Sequence, residues 1–312
     1  MRQLFLALMV CPAMAVAEPV QIAGPDGPLE AELIHPAGAE HVVVVIPGSG
    51  PIDRDGNAPA IGLSTDVYRL LAEAMARQGI ASLRIDKRGL HGSAAAIADP
   101  NDVTIDAYAQ DARRWVARAS GIARCVWLAG HSEGGLVSLV AAQDPPDSLC
   151  GLILLATPGR PVGQLMIEQF VANPANAPFM PDLRAVIADL EAGRTRAPET
   201  LPEVLQPLFT AGLQRYMIDL FSHDPAQIAR AWRGPALIVH GEADIQVRET
   251  DARTLAAALP QASRLDLPAG THTLKAKVAG RPFATYSDPA LPLHPDLVPG
   301  IVQFIDASGA AE

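Results

Sequence analysis

The chain has 312 residues, of which 49% are hydrophobic and 19% charged, so it can bury a complete core and matches neither a disordered nor a collagen-like composition. Its formal net charge of -10 argues against nucleic acid or an anionic membrane surface as a partner, because both would repel it. We therefore expect a small neutral or acyl substrate.

The N-terminal residues have the pattern of a cleavable signal peptide. Arg2 supplies a basic end, residues 4–10 form an apolar run, and Ala15 and Ala17 are small residues at the spacing that cleavage requires. The apolar run is far shorter than the roughly 20 residues of a membrane-spanning helix. We therefore expect residues 1–17 to be removed, which leaves an exported protein, periplasmic or secreted, without a stable membrane anchor. Lipoprotein processing at Cys11 is the alternative, but the residues just before it are not the small ones that this processing favours.

Short apolar runs rich in Val, Ile and Leu recur along the chain and have the length of buried parallel strands. They lie at 41–46, 81–85, 125–129, 149–156 and 236–240. Apolar residues at helical spacing separate these runs, most clearly at 67–75 and 105–119. This alternation predicts a doubly wound, mostly parallel α/β sheet with right-handed crossovers.

The alternation stops between residues 160 and 233, where amphipathic segments follow one another without a convincing strand. We expect a core domain formed by 18–159 and 234–312, interrupted by an inserted helical lid at 160–233. A long disordered loop is the alternative, but apolar residues such as Leu183 and Phe221 need burial.

Residues 130–135, with the sequence GHSEGG, join a predicted strand to a predicted helix. This order is typical of a nucleophile elbow, in which a serine is exposed on a strained turn. Strand and helix pass closely there, so the residues two before and two after the serine must lack side chains, as Gly130 and Gly134 do. A glycine-rich turn with a helix-capping serine is the alternative, but it would not require further triad members downstream. We predict that Ser132 is the nucleophile.

A serine hydroxyl needs a base to take its proton, and the base needs an orienting carboxylate. In this type of site the acid and then the histidine follow the serine along the chain. Asp244 lies on the loop after the strand 236–240, and His272 lies on the loop after a short predicted strand at 265–267. We predict that they are the acid and the base. Glu242 is a competing acid that lies nearer the strand.

Other candidates for the nucleophile and the base fit less well. Ser93 follows a strand but has no strand-turn-helix setting, so a structural loop is the better interpretation of its surroundings. Four other histidines lack the order or the loop position of His272: His131, His223, His240 and His294.

Acyl transfer develops negative charge on the carbonyl oxygen, so the site needs two preorganised backbone N–H donors. Glu133 follows the nucleophile at a helix N-terminus, where the helix dipole helps. The second donor normally comes from the loop after the third strand, here 47–57, and we predict Ser49 first and Gly50 second. Residues 53–55 are expected to brace this loop by internal ion pairs.

Removal of Cys11 would leave two cysteines, Cys125 and Cys150, in a compartment that we expect to be oxidising. They would begin two adjacent strands, and neighbouring strands lie about 4.8 Å apart, which is compatible with a disulfide. A disulfide and a pair of buried free thiols both fit the sequence.

The chain resembles the α/β-hydrolase superfamily, and specifically bacterial serine esterases with an oxyanion loop of the pattern PGSGPxDRDGN. The resemblance covers nearly the whole mature chain, at 47–57, 86–93, 130–135, 240–247 and 272–275. It implies Ser132, Asp244 and His272 as the triad, with Ser49 and Glu133 as oxyanion donors. One departure is Thr271, where relatives often carry Asn, and it concerns the hydrogen bonding of the histidine loop.

The resemblance also implies a short-chain carboxylic ester as the substrate, while the residues themselves indicate acyl transfer without a metal or organic cofactor. An exported serine aminopeptidase or amidase is one alternative, because fold and triad do not fix the leaving group. It would hold the amino terminus of its substrate with lid carboxylates, for which Glu168, Asp182, Asp189 and Glu191 are available. A catalytically silent binding module on the same scaffold is the other alternative, and the complete triad argues against it.

Overall fold

A computed structural model describes residues 16–309, and all its strands belong to one sheet. The strands are β1 (Ala17–Ala23), β2 (Pro28–Ile34), β3 (His41–Ile46), β4 (Ala81–Ile85), β5 (Cys125–His131), β6 (Leu149–Leu155), β7 (Ala236–Gly241) and β8 (Ser263–Leu267). Their spatial order is β1-β2-β4-β3-β5-β6-β7-β8. β2 pairs antiparallel with β1 and with β4, and every other neighbouring pair is parallel.

Helices connect the strands and cover both faces of the sheet. The α-helices are α1 (Val67–Ala76), α2 (Ile105–Ala119), α3 (Glu133–Ala141), α4 (Val162–Val171), α5 (Met180–Glu191), α6 (Ala211–Phe221), α7 (Pro225–Ala229), α8 (Glu249–Ala258), α9 (Ala284–Ser287) and α10 (Leu297–Gly309). Short 3-10 helices lie at Pro59–Ile61, His91–Ala96, Pro174–Phe179, Pro198–Thr200 and Gln206–Leu208. The doubly wound, mostly parallel sheet predicted from the sequence is confirmed.

The core has two layers, because successive residues of a strand point to opposite faces of the sheet. In β3, Val43 and Val45 pack under α1 and α10, while Val42 and Val44 face the layer that contains α2, α3 and α8. Helix α2 shows how the sequence specifies such a layer. Its buried residues recur at helical spacing, and the Thr104 side chain accepts the Ala107 N–H at 3.0 Å as an N-cap.

The antiparallel hairpin formed by β1 and β2 was not predicted from the sequence, and neither were the helices α8 to α10. In β2 the buried residues Leu29, Ala31 and Leu33 alternate with the partly exposed Glu30 and Glu32. Such alternation is typical of an antiparallel strand with one face on the core. The signal was therefore present, but it differs from the continuous apolar runs of the parallel strands.

The segment between β6 and β7 contains α4 to α7 and, within its described residues, no strand. Apolar side chains of α5, including Leu183, Val186 and Leu190, are fully buried. We call residues 160–233 the helical insertion. Its role as a lid stays a prediction.

Cys125 and Cys150 form a disulfide, with Cα atoms 5.5 Å apart. Cys125 is the first residue of β5 and Cys150 is the second residue of the neighbouring β6. The sequence left open a disulfide or two free thiols, and the structure contains the disulfide. It lies at the ends of these strands opposite the elbow.

The predicted signal peptide lies almost entirely outside the described residues, as does Cys11. Ala17, its last residue, begins β1 and pairs with Ile34. Export therefore stays a prediction. Within residues 16–309, no helix is both long enough and apolar enough to cross a membrane.

Candidate active site

A cavity of about 830 Å³ lies between the carboxyl ends of the parallel strands and the helical insertion. In parallel sheets this is the edge where ligands bind, and the volume is typical of a small-molecule site. The residues predicted as nucleophile, base and oxyanion donors all line it: Ser132, His272, Ser49, Gly50 and Glu133. The structure thus brings together residues from three loops that are far apart in the sequence.

Ser132 lies between β5 and α3 with φ 54° and ψ -122°, a strained conformation for a residue with a side chain. Its N–H donates to the Leu155 carbonyl at 2.8 Å, which holds the turn against β6. A Cβ atom on Gly130 would overlap the carbonyl of Gly134, and one on Gly134 would lie 2.7 Å from the Pro47 carbonyl oxygen. The close approach predicted for both glycines is therefore present.

His272 and Asp244 are joined by a 2.8 Å contact between Nδ1 and Oδ2. The other carboxylate oxygen of Asp244 accepts the N–H groups of Gln246 at 2.7 Å and Val247 at 3.0 Å. Burial of Asp244 opposes its ionisation, but the charge and hydrogen bond of His272, with these two amides, hold the pKa of Asp244 below its usual value. The competing acid Glu242 is exposed.

The ionised Asp244 determines which nitrogen of His272 carries a proton. A carboxylate can only accept, so Nδ1–H donates to it, and Nε2 is left to take a proton from another group. Thr271 fixes the same loop, since its hydroxyl donates to the Lys275 carbonyl at 2.8 Å. The departure from Asn at this position therefore leaves the loop hydrogen-bonded.

A chain of hydrogen bonds joins the predicted oxyanion loop to the His272 loop. The Gly48 N–H donates to the Tyr68 hydroxyl at 3.1 Å, and that hydroxyl lies 2.8 Å from His131 Nδ1. Tyr68 therefore donates its own proton to Nδ1, and His131 Nε2–H donates to the His272 carbonyl at 2.8 Å. Tyr68 was not singled out from the sequence, where it lies inside a predicted helix but outside the apolar residues that indicated that helix.

His131 is neutral in this chain. Its burial, followed by the charge of His272, lowers its pKa to about 3. Its ring centroid lies 4.8 Å from that of His272. A second positive charge so close would oppose protonation of His272, the predicted base, so a neutral His131 leaves His272 free to accept a proton.

The backbone amides of Ser49, Gly50 and Glu133 make no hydrogen bond to another group within residues 16–309. The Gly48 amide, by contrast, is occupied by Tyr68. Free N–H groups at a cavity wall are what an oxyanion requires. Their assignment as oxyanion donors stays a prediction, which this difference between neighbouring amides supports.

The expectation that residues 53–55 brace their loop by internal ion pairs is wrong in part. Arg54 pairs with Glu30 and Asp86, and Asp55 pairs with Arg84, all outside the loop. Glu30 lies in β2, Arg84 lies in β4 and Asp86 directly follows β4. The ion pairs therefore connect the loop to the sheet. Bracing inside the loop comes from Asp53, whose carboxylate accepts the N–H groups of Asp55 and Asn57.

Ser93 is structural, as expected. Its hydroxyl is buried, accepts the Glu30 N–H at 2.8 Å and donates to the Asp86 carbonyl at 3.0 Å. The four carboxylates considered for holding an amino terminus do not line the cavity either. Two of them are taken up by arginines, Glu168 by Arg160 and Asp189 by Arg194 and Arg196.

A curated protein shares part of the sequence. Esterase EstD of Thermotoga maritima is 27% identical over 217 residues, which cover 67% of this chain and 48% of EstD. The chain thus spans about half the length of this curated relative.

Solved structures share the fold across almost the whole chain. The Pyrococcus furiosus esterase Pf2001 superimposes with a TM-score of 0.59 at 14% identity, covering 94% of this chain and 91% of its own. Est1E from Butyrivibrio proteoclasticus, solved with ferulic acid bound, has a TM-score of 0.59 at 18% identity, covering 94% and 100%. The predicted α/β-hydrolase fold is therefore confirmed.

The model of the serine aminopeptidase S33 family matches residues 61–275, well over half of the chain and a stretch that contains Ser132, Asp244 and His272. The chain therefore belongs to the serine aminopeptidase S33 family and has the α/β-hydrolase fold.

Proposed function

We propose that the chain is an esterase that cleaves short-chain carboxylic esters through a covalent acyl-enzyme on Ser132. The observation that carries the proposal is the shared cavity of Ser132 and His272, with His272 oriented by the ionised Asp244. A nucleophile and an oriented base at one cavity are the requirement for acyl transfer.

In the proposed reaction, His272 Nε2 takes the proton of Ser132 Oγ as that oxygen attacks the substrate carbonyl. The oxyanion accepts hydrogen bonds from the free amides of Ser49 and Glu133. His272 then gives the proton to the departing alcohol, and the acyl group stays on Ser132. Water, deprotonated by the same histidine, then attacks the acyl-enzyme. His272 returns that proton to Ser132 Oγ as the bond between Oγ and the acyl carbon breaks, which releases the acid and restores the enzyme.

Three observations favour an ester over a peptide. EstD and the structural neighbour Pf2001 are described as esterases, and the apolar part of the cavity suits an acyl chain. In addition, the carboxylates Glu168 and Asp189 of the helical insertion are paired with arginines away from the cavity, so neither is free to hold an ammonium group. The aminopeptidase alternative therefore lacks the anchors that it was expected to use.

Substitution tests the proposal directly. Ser132→Ala is expected to abolish hydrolysis of p-nitrophenyl acetate and butyrate and labelling by a fluorophosphonate probe. Ser120→Ala removes an exposed hydroxyl at the end of α2 and serves as the matched control, with both activities retained. Labelling of the Ser132→Ala variant, or full activity in it, would overturn the assignment. A wild-type protein that the probe does not label would instead support the binding-module alternative.

The choice of leaving group is tested separately. Wild-type protein should hydrolyse p-nitrophenyl butyrate far faster than alanyl-naphthylamide, compared by kcat/KM. A preference for the naphthylamide would replace the esterase proposal with an aminopeptidase that uses the same triad.

We also propose that the protein is exported and cleaved after Ala17. The pattern of residues 1–17 and the Cys125–Cys150 disulfide support this, since disulfides persist in oxidising compartments. Expression of the full chain in a Gram-negative host, followed by fractionation and N-terminal sequencing, should yield periplasmic protein that begins at Glu18. Cytoplasmic protein that keeps residues 1–17 would contradict it.

A further inference from the structure

A buried polar cluster beside the nucleophile has no role in the proposed mechanism. It consists of the side chains of Lys87, Tyr108, Glu133 and Tyr216, and all four residues line the cavity. Glu133 and Lys87 are only 2% and 4% exposed. Charged groups are rarely buried so completely unless each is paired, so the partners of these atoms determine what the cluster can bind.

One half of the cluster is satisfied. Lys87 Nζ donates to the Gly48 carbonyl at 2.7 Å and to Glu133 Oε1 at 3.1 Å. It also lies 5.1 Å from the centroid of the Tyr108 ring. The charge of Glu133 is therefore balanced by Lys87, and the pair is formally neutral.

The other half of the cluster is unsatisfied. Glu133 Oε2 and the Tyr216 hydroxyl are both buried and close enough to interact with each other. They do not meet in a hydrogen bond of normal geometry, and neither has another partner within the part of the chain that the structure describes. Burial first, and then the nearby charge of Glu133, raises the pKa of Tyr216 well above its usual value. The phenol thus keeps its proton, and its ring is held by edge-to-face contact with Tyr108. Buried polar atoms without partners are uncommon and costly, which points to a missing ligand group.

We propose that Glu133 and Tyr216 form a subsite that binds a hydroxyl group of the substrate. A hydroxyl can donate its proton to Glu133 Oε2 and accept one from the Tyr216 hydroxyl, which satisfies both atoms at once. The subsite rests on the proposed esterase function and narrows its substrate class to esters that carry a hydroxyl group on the acyl or the alcohol part.

Charge excludes the other polar groups that could enter. A substrate ammonium would approach a pair whose negative charge Lys87 already neutralises, and it would meet the like charge of Lys87 itself. A carboxylate would face the negative Glu133. Much of the neighbouring wall is apolar, with Leu213, Met217 and Leu220, so a hydroxyl finds no comparable pair of partners there.

The test compares matched esters by kcat/KM. p-Nitrophenyl 3-hydroxybutyrate against p-nitrophenyl butyrate places the hydroxyl on the acyl part, and 2-hydroxyethyl butyrate against ethyl butyrate places it on the alcohol part. We expect the wild-type protein to favour the hydroxylated ester of one pair by about 10-fold, the value of one or two well-placed hydrogen bonds. The pair that shows the preference identifies which part of the substrate carries the group.

Variants then connect the preference to the two side chains. Tyr216→Phe keeps the ring and removes the hydroxyl, and it should lower the preference to about 2-fold or less. Glu133→Gln retains the backbone amide and should lower it as well. Tyr286→Phe is the control, because it removes a hydroxyl from the same cavity that already has a partner, Gln246 Nε2 at 3.1 Å. In that variant the ratio should equal the wild-type ratio.

Equal kcat/KM within both wild-type pairs would overturn the subsite while leaving the esterase function in place. A preference that survives Tyr216→Phe would overturn it too. Preference for p-nitrophenyl 3-aminobutyrate, lost in Glu133→Gln, would replace hydroxyl recognition with amine recognition. Absence of hydrolysis of every ester, together with absence of fluorophosphonate labelling, would overturn the esterase function and the subsite with it.

Discussion

The two walls of the cavity are built by different means. On the sheet side, directional hydrogen bonds join the loops that follow β3, β5 and β8, through Gly48, Tyr68, His131 and the His272 carbonyl. On the side of the helical insertion, the wall consists mainly of apolar side chains from α4 and α6.

This difference separates two requirements of an enzyme. Proton transfer and attack need atoms placed within a fraction of an ångström, which hydrogen bonds with fixed angles provide. Accommodation of an acyl chain needs volume and apolar surface, which tolerate substitution. We therefore expect changes on the sheet side to alter the rate and changes in the helical insertion to alter substrate preference.

The largest expected effect on the sheet side comes from Asp244→Asn. Asparagine keeps the shape but can present an N–H to His272 Nδ1, which favours the wrong tautomer of the base, so kcat should fall about 10³- to 10⁴-fold. Hydrolysis of p-nitrophenyl butyrate measures this. Glu242→Gln is the matched control, because Glu242 lies two residues away and is exposed. If Glu242→Gln is the more damaging change, the acid has been assigned to the wrong residue.

A smaller effect is expected from Tyr68→Phe. The change removes the hydroxyl that accepts from Gly48 and donates to His131, so the oxyanion loop loses its connection to the His272 loop. We expect kcat to fall about 10-fold because the predicted catalytic groups are less well placed. KM should change little, because the apolar wall of the helical insertion is unaltered. A rise in KM at constant kcat would show that the hydrogen-bonded wall on the sheet side also binds the substrate, contrary to the division of roles between the two walls.

The neutral His131, on the sheet side, should make the free energy of unfolding depend on pH. Its pKa is about 3 in the folded chain and 6.5 for an unperturbed histidine, so the unfolded chain binds the extra proton between these values. The free energy of unfolding should therefore fall as the pH drops below 6.5, by about 1.4 kcal/mol per pH unit from this residue. Chemical denaturation at pH 7.0, 6.0 and 5.0 measures it. His131→Gln stays neutral and should flatten this dependence, and an unchanged slope would contradict the role given to the buried imidazole.

The smallest expected effect lies in the helical insertion. Met217→Ala enlarges the apolar wall, so kcat/KM for p-nitrophenyl hexanoate relative to acetate should rise about 3-fold, with kcat for acetate nearly constant. Val204→Ala, on the same insertion but 51% exposed and outside the cavity lining, is the control. Loss of activity toward all esters would show that this wall also positions the catalytic groups.

The parallel strands and the positions of Ser132, Asp244 and His272 could be predicted because each has a local signal. A buried strand is an apolar run, and a catalytic loop follows such a run in a fixed order. The hairpin of β1 and β2 was missed because its alternating pattern was not used. Tyr68 and Lys87 had no such signal, because their partners are distant in the sequence. Tyr68 hydrogen-bonds to Gly48, 20 residues earlier, and to His131, 63 residues later. Lys87 donates to Gly48, 39 residues earlier, and to Glu133, 46 residues later.

The pairing of Arg54 with Glu30 and Asp86 has a practical consequence for directed evolution. Glu30 belongs to the hairpin that carries no predicted catalytic group and contributes nothing to the cavity lining, yet it pairs with the arginine of the predicted oxyanion loop. Libraries restricted to substrate-contacting positions would leave this hairpin unsampled. We expect random mutagenesis to recover rate-altering changes there, at a distance from any bound ester.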